Sequence, residues 1–331
     1  MKKYICIVCV VLAFTVTVSV KSVHAERLLA VSLAQLDCNF DPDLAKRVKT
    51  NIEKVSLYAH VLKALKNPDM IVFPEVFIHG PDGQNQEKLS EPIPSGPTTQ
   101  EMIKLARELK VWLIPGTLME KGDDGKFYNT CIVISPEGQV VAKYRKMYPA
   151  RPVEPSEPGG DFVVFDMPGK GRIGLMICYD AMIPEMARTL TWMGAEVIMK
   201  PTFQDDSEGG ERCRTPIDQT RAMENQVWIV DVNAAAPLAN GFSQVIDPEG
   251  RVVEKLGNAE SFTSVVLDLD QVKRVREKGS FAGGFTFIKN WAYLNKRIKN
   301  FPPYVQGIEN GPLFKTLSPG YVDNPSQICP Y

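Results

Sequence analysis

Short apolar runs alternate along this chain with stretches of helical periodicity, and that alternation constrains the fold more than any other feature. Leu28 to Leu36, Met70 to Phe73, Trp112 to Leu118, Arg172 to Cys178, Glu196 to Lys200, Trp228 to Asn233 and Phe262 to Leu267 read as strands. Leu44 to Lys66 carries apolar residues on one helical face, and Asn67-Pro68 stops it. Thr98 and Thr99 suit the cap of a helix from Gln100 to Leu109. Further helices are expected near Pro184 to Met193, over Arg212 to Gln226, and from Asp268 to about Lys278. Two hairpins interrupt the alternation: Phe127 to Ser135 with Gln139 to Tyr144, and Phe242 to Ile246 with Arg251 to Leu256. The pattern implies an α/β fold of mixed sheets. Periodicity leaves open whether the strands make one doubly wound sheet or a two-sheet sandwich.

Three apolar strand ends deliver chemistry. Glu75 follows Met70-Ile71-Val72-Phe73-Pro74, Lys146 follows Val140 to Arg145, and Cys178 follows Ile173 to Ile177. Taken singly, each has a plain reading: a solvated loop acid, a solvated basic strand end, an inert buried thiol. Together, an acid, a cation and a thiol are the parts of a cysteine acyl-transfer site. The acid takes the thiol proton, the thiolate attacks a carbonyl or nitrile carbon, and the cation stabilises the charge that develops.

The chain has 331 residues, 44% hydrophobic and 23% charged, which is enough for a large core. A net charge of −1 gives no polyanion-binding signal, so no nucleic-acid partner is expected. Lys2 and Lys3 precede an apolar run from Tyr4 to Val20, and Val23-His24-Ala25 is a small-x-small cleavage pattern. Residues 1–25 are therefore expected to be a secretory signal peptide, leaving an exported chain, periplasmic or secreted, without a stable membrane anchor. Loss of Lys2, Lys3 and Lys21 takes the net charge from −1 to −4. Cys6 and Cys9 leave with the leader; the other five of the seven cysteines have no metal-ligand spacing, so no metal is expected.

The motifs around these residues resemble the nitrilase, or carbon–nitrogen hydrolase, superfamily, and within it the aliphatic amidase and formamidase branch. Cys178-Tyr179-Asp180-Ala181-Met182-Ile183-Pro184-Glu185-Met186-Ala187-Arg188 is similar to the formamidase nucleophile elbow, and Phe73-Pro74-Glu75 to the element carrying the base. Glu154, eight residues after Lys146, matches the second glutamate of the amidase branch, and Pro158-Gly159-Gly160 follows it. Gly194-Ala195-Glu196 and Arg221 to Gln226 fit the same frame, which runs from about Leu29 to Leu267. The resemblance implies a four-layer α-β-β-α sandwich, over residues 26–279. It implies Cys178 as nucleophile, Glu75 as general base, Lys146 as oxyanion-stabilising cation, the Tyr179 N–H as a second oxyanion donor, and Glu154 as the residue that positions the amide or holds Lys146. No cofactor is implied.

Two positions depart from the branch pattern. Val76 stands where aliphatic amidases carry Tyr after the base, and Ala150, followed by Arg151, stands where they carry Trp. The expectation is a pocket at Val76, Ala150 and Arg151 enlarged beyond formyl or acetyl, with Arg151 meeting a polar or anionic end. Residues 280–331 are rich in aromatics and weakly periodic; they are expected to wrap a neighbouring subunit of a homo-oligomer. The expected activity is hydrolysis of a small carboxylic amide to acid and ammonia. A nitrilase or carbamoylase could use the same triad, since a thioimidate would form on the same residues, although true nitrilases usually carry Trp-Glu where this chain has Tyr179-Asp180. A catalytically inactive secreted interaction protein is the reading from a different class.

Overall fold

The computed structural model describes residues 27–281 and 286–288. The expected leader lies outside them, as does nearly all of the expected C-terminal extension. Along the chain run β1 (Leu28–Gln35), α1 (Leu44–Lys66), β2 (Met70–Val72), α2 (Pro97–Leu109), β3 (Trp112–Ile114), β4 (Thr117–Lys121), β5 (Phe127–Ile134), β6 (Val140–Arg145), β7 (Val164–Met167), β8 (Gly171–Leu175), α3 (Pro184–Trp192), β9 (Val197–Thr202), α4 (Gly210–Asn225), β10 (Trp228–Asn233), β11 (Gln244–Ile246), β12 (Val252–Lys255), β13 (Ser261–Asp268) and α5 (Leu269–Lys278).

The strands form two mixed sheets. One runs β13-β1-β2-β3-β5-β4, with β6 also paired to β5; the other runs β12-β11-β10-β9-β8-β7. Strand alternation sorts the side chains. Met70 and Val72 of β2 point into the cluster between the sheets with Leu175, Val197 and Met199, while Ile71 and Phe73 point out toward α1 and α2. Val55, Ala59 and Leu62 of α1 and Met102 and Leu105 of α2 cover that outer face. Leu190 of α3 and Ala222 of α4 close the opposite one. The order of layers is α-β-β-α, which resolves the choice that periodicity left open.

Local differences from the sequence reading have physical causes. The run Trp112 to Leu118 is two strands, because the chain breaks at Pro115-Gly116, where Gly116 adopts φ +88 and a Cβ would stand 1.9 Å from the Pro74 carbonyl oxygen. Helix α2 begins at Pro97, so Thr98 and Thr99 lie inside it. The Glu91 carboxylate, in the segment leading into the helix, accepts from their N–H groups at 3.1 and 2.9 Å and does what a cap residue would do. Strand β7, four residues at the edge of its sheet, is too short and too close to a Gly/Pro stretch to show in the periodicity. Among the described residues no helix is long and apolar enough to cross a membrane.

Candidate active site

Strands β1, β2 and β3 run parallel, as do β8, β9 and β10. The carboxyl ends of β2, β6, β8 and β9 are followed by Glu75, Lys146, Cys178 and Phe203 respectively. Strand carboxyl ends are where α/β sheets collect ligand-binding groups. Here each sheet contributes two residues.

Glu75, Lys146 and Glu154 form one chain of ion pairs. Lys146 Nζ donates to Glu75 Oε1 at 2.9 Å and to Glu154 Oε1 at 2.5 Å. Glu75 and Lys146 are buried and Glu154 nearly so. Asn129, in mid-strand on β5, donates from Nδ2 to Glu75 Oε1 at 2.7 Å, and the Phe203 N–H donates to Oε2 at 2.8 Å. The carboxylate is thereby fixed in orientation by side chain and main chain together. Burial pushes the Glu75 carboxyl up to about 7, against the opposing pull of Lys146. Burial pulls the Lys146 ammonium down, but Glu154 and Glu75 outweigh it and hold the group well above an ordinary lysine. The lysine is therefore a fixed positive charge and the glutamate a proton acceptor poised near neutrality.

Cys178 opens a short 3-10 turn, Cys178–Met182, and α3 follows from Pro184, where the sequence places a helix. The thiol Sγ lies 3.5 Å from the Phe203 carbonyl oxygen. Phe203 therefore touches Glu75 through its N–H and the Cys178 thiol through its C=O. The elbow is strained: Cys178 sits at φ +44, and Val76, directly after the base, at φ +46. A β-branched residue in the left-handed region is a true outlier, and such strain persists only where surrounding contacts enforce it. At Val76 the N–H donates to Thr117 Oγ1 at 2.9 Å and the carbonyl accepts from Gly80 N at 2.7 Å. The Tyr179 N–H lies in the first turn of the elbow, ahead of the Asp180 N–H to Ile177 O bond that closes it.

Asp180 secures the elbow. Its buried carboxylate accepts from Ile177 N at 2.8 Å, Tyr148 N at 2.9 Å and the Tyr144 hydroxyl at 2.6 Å. Burial raises its pKa to about 6, opposed by Lys146. Behind Phe203, Lys200 pairs with Asp218 at 2.6 Å and Asp231 at 3.3 Å, and Arg214 with Asp231 at 2.8 Å. This buried ionic group fixes the end of β9.

A cavity of about 200 Å³ opens over Glu75 and Glu154, with Val76, Gln86, Phe203, Asp205 and Ser207 in its wall. The structure corrects the expected pocket at two positions. Ala150 is not in this wall; its N–H donates to Glu154 Oε2 at 2.8 Å. Arg151 is not there either, because its guanidinium is held by the carbonyls of Glu154 and Ser156, the latter at 2.7 Å. Gln86, Asn129, Phe203 and Asp205 were missed by sequence reasoning. Only Asn129 left a signal, as a polar residue within an apolar strand. No group of three or more His, Cys, Asp or Glu side chains among the described residues is placed to hold a metal ion.

Comparison with known proteins agrees with this geometry. Residues 30–277 match the carbon-nitrogen hydrolase family model. The omega-amidase NIT2 of Xenopus tropicalis is 30% identical over 231 residues, covering 65% of this chain and 82% of that protein. An (R)-stereoselective amidase of a Pseudomonas species is 36% identical over 216 residues, 63% of this chain and 76% of its own. Among solved structures, Saccharomyces cerevisiae Nit3, a member of the nitrilase superfamily, gives a TM-score of 0.68 at 27% identity, covering 76% of this chain and 94% of its own. A mutant of a Nesterenkonia amidase gives the same TM-score of 0.68 at 20% identity, covering 83% and 98%, and shows the shared fold. The chain belongs to the carbon–nitrogen hydrolase family of the nitrilase superfamily and is a hydrolase of carbon–nitrogen bonds.

Proposed function

We propose that this enzyme hydrolyses a small carboxylic amide to acid and ammonia through a thioester on Cys178. The observation that carries the reading is the Glu75–Lys146–Glu154 chain beside a strained thiol: one proton acceptor near neutrality and one permanent cation. Glu75 takes the thiol proton as sulfur attacks the amide carbon. Lys146 and the Tyr179 N–H stabilise the oxyanion. The carbon–nitrogen bond breaks, and ammonia leaves with the proton from Glu75. Water then attacks the thioester, Glu75 takes its proton, and the acid leaves as the thiol reforms. The relatives named as amidases support an amide over a nitrile or a carbamoyl compound. Export through cleavage near Ala25, and assembly into a homo-oligomer, belong to the same proposal.

The test incubates the purified protein with amides, nitriles and ureas and records ammonia beside intact protein mass. Amide turnover that disappears in Cys178→Ala, with an acyl adduct on the wild-type thiol, is the expected result. Turnover confined to nitriles or ureas, or no turnover and no adduct with any compound, refutes it. N-terminal sequencing of the exported chain tests the cleavage.

A further inference from the structure

We infer that the acyl part of the substrate carries a basic nitrogen, so that the site takes amino amides; this rests on the amidase reading above. Three carboxylates border the cavity: Glu75, Glu154 and Asp205. Among the described residues no lysine, arginine or histidine stands in its wall. The two site cations are both engaged. Lys146 is fully buried between Glu75 and Glu154, and Arg151 is held by main-chain carbonyls. An incoming carboxylate on the acyl part would face these three acids with no cationic side chain in the wall to receive it.

Gln86 supplies the independent observation. Its side chain is 5% exposed and lies in the cavity wall, and its Oε1 has no hydrogen-bond donor among the described residues. A buried amide oxygen without a donor is a loss unless a ligand supplies an N–H or O–H. Asp205 borders the same cavity on the opposite strand end, two residues after Phe203, with Oδ1 fixed by the Ser207 N–H at 2.8 Å. An ammonium in this space would pair with Asp205, and rotation of the Gln86 side chain would bring its undonated Oε1 onto it. The acyl carbon would remain beside Phe203, whose carbonyl marks the thiol. Specificity then has two parts: attraction of a cation, and rejection of a carboxylate by the same fixed charges.

The experiment compares kcat/KM, by ammonia release at pH 7.5 (within about a unit of neutrality), for three amides of matched length: 4-aminobutanamide, pentanamide and the monoamide of succinic acid. The expected order is amino amide first by about tenfold, neutral amide second and carboxylate last, with the preference narrowing as salt rises. Gln86→Leu and Asp205→Asn should each lower the ratio of amino to neutral amide. That ratio, taken within one protein, is not moved by partial unfolding. Equal rates for the amino and neutral amides, a ratio unmoved by both substitutions, or a preference for the carboxylate would overturn the inference while leaving the amidase reading intact. Ammonia from none of the three, nor from the wider panel, overturns the amidase reading itself and this inference with it.

Discussion

The Tyr144 hydroxyl donates to Asp180 Oδ2 at 2.6 Å, joining the strand that delivers Lys146 to the turn that delivers Cys178. Tyr144 belongs to one sheet and Asp180 follows a strand of the other, and both are buried. Hydrogen bonds to an ionised partner contribute about 1.5–3 kcal/mol. Tyr144→Phe should therefore destabilise the fold by roughly that amount and lower kcat/KM by about tenfold as the elbow loosens. Denaturant unfolding and steady-state kinetics on the same preparation check both.

The acid limb of the kcat/KM profile should have its midpoint near 7, the value to which burial pushes Glu75. The sign follows from the role: Glu75 must be ionised to accept the thiol proton, so activity falls by about tenfold per pH unit below that midpoint. Asn129 donates to the charged form of Glu75. Asn129→Ala removes that donor and should move the midpoint upward. A midpoint that stays in place would show that another group governs the limb.

Lys146→Met should leave the buried Glu75 and the partly buried Glu154 without their cation. Breaking a buried pair in this way costs about 3–5 kcal/mol, and loss of the oxyanion charge should lower kcat by roughly a hundred- to a thousandfold. Adding Glu154→Gln removes one of the stranded charges, so the double variant should recover stability without recovering turnover. Thermal melts and single-turnover assays separate the two effects.

Gly116→Ala should lower activity through the main chain. A Cβ there would stand 1.9 Å from Pro74 O, next to the base, and φ +88 strains any L side chain. A displaced Pro74 carries Glu75 with it, and a stability loss above about 2 kcal/mol is expected. Gly125, at φ +77 with nothing within 4 Å of an added Cβ, is the control. Gly125→Ala should carry only the backbone cost of about 1 kcal/mol and keep full activity.

The helix over Leu44–Lys66 and the strand Trp228–Asn233 were legible because long periodicity and uninterrupted apolar runs are local properties. Glu75, Lys146 and Cys178 could be singled out because each stands at a strand end, and the motif resemblance ranked them above Lys143, Arg145 and the other cysteines. What could not be read is where loop side chains and main-chain atoms are aimed. Glu91 caps α2 from a loop, Phe203 acts through main-chain atoms that any residue possesses, and the Arg151 guanidinium turns back on its own loop. Composition records the presence of such groups but not the direction in which they point.

Glu75 and Lys146 stand on one sheet, Cys178 and Phe203 on the other, and no single sheet holds a working centre. A slip of one layer against its partner would leave every strand intact and every catalytic atom present, yet separate the thiol from its base. Turnover in this protein is thus a gauge of how the two layers are seated. Heat, solvent or a substitution in the shared interior should silence the enzyme before circular dichroism registers any loss of secondary structure.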